Sequence, residues 1–210
     1  MAQIDGKEVV LEATLITRVS LAVELVDGYT KERPIGRVRV FVKGLSPEGK
    51  LNPSGYFLFL NLANGSYTLR VESGHYRDEE RAFNVPVASP KNPVLSVTLI
   101  PRPSYPFPPA STLIRGLARG AANSPAVGAT VEVVGKGLTY RTDERGEFVL
   151  AFGALKENDV IKENGKRFVK GNGNTKTITL SATHPTLGNK TLDITAGVEE
   201  GKTTPAHITF

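Results

Sequence analysis

Pro125-Ala126-Val127-Gly128-Ala129-Thr130-Val131-Glu132-Val133, followed by Thr142-Asp143-Glu144-Arg145-Gly146-Glu147-Phe148-Val149-Leu150, is the stretch that decides the fold. Apolar and polar residues alternate with the period of a half-buried strand, and Asp143 to Gly146 supplies a tight turn whose last residue takes positive φ without steric cost. Phe148 and Leu150 then share one face of the strand that leaves the turn. Asp143 is placed to cap the turn with its own side chain. Asp143 and Glu144 are too few oxygens for the roughly six to eight that calcium takes, so the loop predicts a turn and no metal. Pro125 and Gly128 read as a strand entry and a bulge.

The same pattern occurs earlier in the chain. Pro34-Ile35-Gly36-Arg37-Val38-Arg39-Val40 precedes Ser54-Gly55-Tyr56-Phe57-Leu58-Phe59 and Gly65-Ser66-Tyr67-Thr68-Leu69-Arg70-Val71, and Gly55 lies 91 residues before Gly146. Between the copies, Pro101 to Ala110 holds five prolines in ten residues. Proline fixes φ and removes a donor, so no helix or central strand runs through, and the segment reads as an extended, semi-rigid spacer. Tyr105 and Phe107 are expected to pack against the flanking domains; a ligand for a proline-recognition module is the other reading. The expected organisation is residues 1–100 as one domain, 101–110 as linker and 111–210 as a second domain, each of a size that just sustains a core.

Both halves are all-β in pattern. Short β-branched or aromatic runs, bounded by Gly, Pro, Asn or Asp, cover 15–26, 38–42, 56–60, 67–71 and 94–100 in the first half. In the second they cover 112–117, 130–134, 147–152, 176–182, 190–195 and 207–210. This rhythm, with no long helical period, favours a seven-stranded sandwich in each half. One helical turn is expected near 154–160. Gly171-Asn172-Gly173-Asn174 joins two strand-like segments and reads as a hairpin turn, because it lacks the lysine and hydroxyl of a phosphate loop.

Composition narrows the chemistry. The 210 residues include no cysteine and three histidines, which removes disulfides, thiolate zinc sites, iron–sulfur clusters and cysteine nucleophiles. His75, His184 and His207 fall in no zinc-protease pattern, and no Gly-x-Ser-x-Gly elbow occurs. No catalytic residue, metal site or cofactor is expected. The net charge of +5 comes from charges that alternate in sign, as in Asp78-Glu79-Glu80-Arg81, which describes solvated faces and not a nucleic-acid stripe. Met1 to Glu8 is acidic and polar, and the apolar stretch after it is broken by Glu12, Arg18 and Glu24, which is neither a secretory leader nor a membrane span. A cytoplasmic protein, incorporated into a particle or released without a cleaved leader, is the expectation.

One irregular segment stands out, from Lys156 to Asn174. Lys162, Lys166, Arg167 and Lys170 surround Phe168 there, against Glu157, Asp159 and Glu163, and the length exceeds an ordinary hairpin loop. These residues form the candidate partner-binding element, a protruding hairpin; an insertion with no role accounts for them equally well.

The repeated residues also carry a resemblance. Pro-x-x-Gly-Ala-x-Val-x-Val from Pro125, Thr142 to Phe148, and Thr179-Leu180-Ser181-Ala182-Thr183-His184-Pro185 are similar to the carboxypeptidase regulatory-like domain, and Leu51 to Phe59, Gly65 to Tyr67 and Val71 to Tyr76 repeat it in the first half. The resemblance implies a transthyretin-like Greek-key β-sandwich, an accessory module that stiffens, spaces or presents its neighbours and carries no catalysis. Hydrolases of that fold end in Tyr-Arg-Gly-Ser, whereas this chain ends Ala206-His207-Ile208-Thr209-Phe210. The junction Tyr105 to Gly116 resembles the linker of accessory proteins of phage-tail-like contractile injection particles. The expectation is a non-enzymatic tandem adaptor with protein partners in a larger assembly and no nucleic-acid or membrane partner, self-association within the assembly being open. A carbohydrate-binding sandwich is the alternative, disfavoured by the absence of tryptophan and an aromatic content of 7%.

Overall fold

In the computed structural model, which describes residues 2–4, 7–9, 17–46, 48–89 and 91–210, the turn from Asp143 to Glu147 forms with Gly146 at φ +70°. The Gly146 amide donates to the Asp143 carbonyl at 2.9 Å, and Asp143 N–H to the Glu147 carbonyl at 3.1 Å. Asp143 Oδ1 accepts from Arg145 N–H and Glu147 N–H at 2.9 and 2.8 Å. Ninety-one residues earlier three of these four bonds recur. Gly55 (φ +91°) donates to the Asn52 carbonyl, Asn52 N–H to the Tyr56 carbonyl, and Asn52 Oδ1 accepts from Tyr56 N–H at 2.8 Å. Asn replaces Asp because the turn needs only a short side-chain oxygen.

Two short strands, β1 (Ala2–Ile4) and β2 (Lys7–Val9), pair antiparallel. The remaining strands divide between two compact units. The first comprises Met1–Val26, Glu32–Ser73 and Asp78–Leu99. Its elements are β3 (Val19–Asp27), β4 (Val38–Val42), β5 (Lys50–Leu51), β6 (Phe57–Leu60), β7 (Gly65–Ser73), β8 (Glu79–Val85) and β9 (Val94–Leu99). They form a four-stranded sheet, β5-β6-β3-β9, and a three-stranded sheet, β4-β7-β8. Leu21, Val23, Phe59 and Leu99 of the first and Val40, Val42, Leu69 and Val71 of the second are buried. Residues 15 and 16 of the first expected strand lie outside the described residues.

The second unit comprises Asp27–Lys31, Gly74–Arg77 and Ile100–Phe210. Its strands are β10 (Leu113–Arg119), β11 (Thr130–Val133), β12 (Leu138–Arg141), β13 (Glu147–Ala151), β14 (Val160–Glu163), β15 (Lys166–Val169), β16 (Ile178–His184), β17 (Gly188–Ile194) and β18 (Thr203–Thr209). A three-stranded sheet, β13-β10-β18, and a four-stranded sheet, β12-β11-β16-β17, close over a core that includes Ile114, Phe148 and Leu150 from one and Val131, Ile178 and Leu180 from the other. First and last strands of the unit run parallel, with Gly116 opposite Ala206. Any Cβ at Gly116 would overlap the Ala206 carbonyl and the Phe148 ring, so the strands approach this closely only at glycine.

The chain is thus all-β, two seven-stranded sandwiches that differ in one edge strand. In the second unit the strand before the capped turn, β12, extends the β11 sheet over four residues. In the first unit the equivalent strand, β5, joins β6 in the other sheet over two residues, Lys50 opposite Leu58 and Leu51 opposite Phe57.

Several expectations change. Residues 101–110 are not an extended spacer: Tyr105 N–H donates to the Arg102 carbonyl, Phe107 N–H to the Tyr105 carbonyl and Ser111 N–H to the Pro108 carbonyl, so the segment turns repeatedly, and it belongs to the second unit. The turn of the expected hairpin is Asn164-Gly165, both at positive φ, which connects β14 to β15. Residues Asn172–Asn174 form a 3-10 turn instead, because β15 and β16 lie in different sheets. The expected helical turn is the 3-10 segment Glu157–Asp159.

Candidate functional site

The hairpin of β14 and β15 carries four of the candidate residues, and Lys170 follows it. It does not protrude. Val169 N–H donates to the Val198 carbonyl at 2.8 Å and Glu200 N–H to the Arg167 carbonyl at 2.8 Å, which ties the hairpin to residues 198–200. Each of three cations meets a carboxylate: Lys162 pairs with Glu157, Lys166 with Glu199 at 3.3 Å, and Arg167 with Glu200 and with Glu157. Phe168 lies under the Lys176 ammonium, 5.3 Å from its ring centre, and Lys170, two residues on, is half-buried. Hydrogen bonds from Lys162 and then Arg167 pull the Glu157 carboxyl down to about 2. Glu199 is lowered too, first by Lys202 and then by Lys166. Exposed pairs of this kind each contribute little to stability, but together they leave the hairpin with cations matched by carboxylates.

A second cluster, which the sequence reading did not find, lies inside the second unit. Asp27 is completely buried, and both its oxygens are used. Oδ2 accepts from the Tyr76 and Tyr105 hydroxyls, each at 2.6 Å, and Oδ1 from Tyr29 N–H at 2.7 Å and Thr30 N–H at 3.1 Å. Burial pushes the carboxyl up, and the hydrogen bonds from Tyr105, Tyr76 and the two amides outweigh it, so the pKa falls below the ordinary 3.8. Burial and the Asp27 charge drive the Tyr105 hydroxyl strongly upward. Phe107 packs edge-on against Tyr105 at 4.7 Å and Tyr29 at 5.0 Å, and lies under the Arg115 guanidinium at 5.3 Å. The sequence placed Tyr105 and Phe107 in packing; their partners here are rings and a carboxylate of the same unit.

His184 is also committed. Its Nδ1 accepts from Thr186 N–H and Leu187 N–H, both at 3.2 Å, which leaves Nε2 protonated to donate to the Val127 carbonyl at 3.0 Å. Its ring holds a β-turn in shape.

A third place, in the first unit, is open. Beyond Lys50 no strand of the described residues runs on the β5 side of β6, and a cleft of about 450 Å³ lies there, with Leu45, Glu48, Lys50, Phe59, Leu60 and Tyr67 on its walls. The volume is that of a ligand-sized cleft. Glu48 is held by Arg39 at 2.6 Å, and the Tyr67 hydroxyl donates to the Ala63 carbonyl at 2.9 Å. Leu45 and Leu60 are exposed on its walls.

No known family profile matches the sequence, and no curated protein does. Among solved structures, the chain is similar to the Bacillus anthracis TIE protein at 15% identity and TM-score 0.32, over 91% of this chain and 33% of that one. It is similar to a streptococcal ancillary pilin at 12% identity and TM-score 0.26, over 94% of this chain and 63% of that one. The chain therefore spans about a third of the first protein's length and under two thirds of the second's.

Proposed function

We propose that the protein is a non-enzymatic assembly component, two accessory sandwiches of the carboxypeptidase regulatory-like kind that dock onto a larger protein complex. The observation that carries this reading is a contrast in where polar groups are left open. The Asp27 carboxylate has four donors and a lowered pKa, and both His184 nitrogens are engaged, so neither is free to take a proton from a substrate. The hairpin cations are neutralised by carboxylates of the same unit. The first unit, by contrast, keeps a sheet edge that β5 covers over two residues only, and an uncovered edge binds other chains.

Sugar binding draws less support. None of the six tyrosines and nine phenylalanines is exposed, and Tyr67 and Phe83 are stacked on each other at 5.5 Å, so these rings offer no flat platform to a glycan. The resemblance of residues 105–116 to the linker of contractile-particle accessory proteins makes a phage-tail-like particle the complex of choice. Cross-linking of the full chain in its native host, read by mass spectrometry, is the test. Cross-links to one stoichiometric protein partner support adaptor function; a glycan-array signal with no protein cross-links replaces it with the sugar-binding reading.

A further inference from the structure

The β6 edge shows which kind of partner the first unit fits. Tyr56, just before β6, and Leu58 within it direct their main-chain groups toward β5: Tyr56 O accepts from Asn52 N–H at 2.9 Å, and Leu58 stands opposite Lys50. Asn61 N–H donates the other way, to the Arg18 carbonyl at 2.9 Å. By the two-residue alternation of a strand, the N–H and C=O of Leu60 point to the β5 side. There β5 has already ended, because Gly49 N–H turns to the opposite sheet and donates to the Val40 carbonyl at 2.8 Å. The unfilled place beside Leu60 is the cleft of about 450 Å³.

Three properties of the cleft select its occupant. Its floor is a free strand edge, which calls for an extended main chain. Two of its apolar wall residues, Leu45 and Leu60, are among the nine large hydrophobic side chains exposed among the described residues. Its charge is one-sided: Glu48 is paired with Arg39, whereas Lys50 is exposed on the wall with no carboxylate partner among the described residues. We propose that the first unit binds an extended acidic-apolar peptide segment of another protein as an added strand on β6, the apolar side chains entering the cleft and a carboxylate meeting Lys50. This rests on the adaptor reading and names the contact through which it works. It also explains the contrast between the units: β12 completes its sheet with four residues where β5 offers two and leaves a place for a guest strand.

The test uses the full chain and a synthetic peptide of alternating valine and glutamate, titrated by fluorescence anisotropy and by amide hydrogen exchange. Saturable binding that slows exchange at Leu60, and that weakens about fivefold in Lys50→Glu, is the expected result. Leu60→Asp, at an exposed position, abolishes binding while Val127→Asp in the second unit leaves it unchanged. A peptide that binds without protecting Leu60, that binds Lys50→Glu and Leu60→Asp as well as the parent, or that does not bind at millimolar concentration overturns the proposal. A native partner cross-linked elsewhere on the chain overturns it as well and leaves the adaptor reading standing.

Discussion

Tyr105→Phe removes one hydroxyl and keeps the ring, which makes it the cleanest probe of the buried Asp27 cluster. The ring contacts at 5.5 Å to Tyr76 and 4.7 Å to Phe107 remain, so the change isolates the 2.6 Å hydrogen bond to Asp27 Oδ2. A hydrogen bond to a charged group contributes about 1.5–3 kcal/mol, and the variant leaves the carboxylate buried with three donors in place of four. The second unit should lose about 2 kcal/mol at neutral pH, which is about 8 °C in midpoint at ~4 °C per kcal/mol. The loss depends on pH with a definite sign. The folded pKa of Asp27 is lowered, so the ionised carboxylate adds stability above the ordinary value of 3.8, and that stability disappears as pH falls through the folded value. Below it the carboxyl is neutral in parent and variant alike, and the difference between them should shrink to about 1 kcal/mol or less. Urea unfolding followed by near-UV tyrosine dichroism, at about pH 7 and along an acid series, measures both values. A difference under about 0.5 kcal/mol at neutral pH, or one that does not change on acidification, would refute the hydrogen-bonded carboxylate.

Further tests address separate parts of the structure. Tyr140, pushed up to about 12 chiefly by burial, should show tyrosinate absorbance only near that pH, and Tyr140→Phe should remove this late phase; because the unfolded residue ionises near 10.0, the fold should lose stability between the two values. Gly116→Ala forces a Cβ into the Ala206 carbonyl and should destabilise the second unit by about 3 kcal/mol or more, or prevent its folding, as measured by thermal unfolding. The Glu157 carboxyl should titrate near 2 by carbon-detected NMR and move toward the ordinary range in Lys162→Ala with Arg167→Ala. Replacing Lys166, Arg167 and Phe168 with Ser should loosen the contact of β15 with residues 198–200, read as faster exchange of the Val169 and Glu200 amides, and leave binding to the valine-glutamate peptide intact.

The repeat was legible because it is local. Asn52 to Phe57 and Asp143 to Glu147 place turn oxygen, positive-φ glycine and strand start within five or six residues, and so short a run is what a sequence displays. Strand β8 was hidden because its outward side chains are charged: Glu80 stands opposite Arg70 in the register with β7, so Glu79 to Arg81 is a charged run and a strand at once. The Asp27 cluster was hidden for another reason. Asp27 followed by Gly28 does signal a side-chain-capped turn, but its hydroxyl donors come from 49 and 78 residues away, and only the fold brings them together. The hairpin cations were visible, while Glu199 and Glu200, two of the carboxylates that match them, lie more than thirty residues later. The β6 edge is legible only in the comparison of the two units, since nothing in the composition of Lys50 and Leu51 announces that their strand stops after two residues.

Sedimentation of the native extract, with this chain followed by antibody, tests the adaptor function most directly. The account predicts that most of the 22.6 kDa chain travels with a particle many times its own mass and is released when the particle is dissociated. A pool that sediments entirely as the free chain under gentle extraction would contradict it.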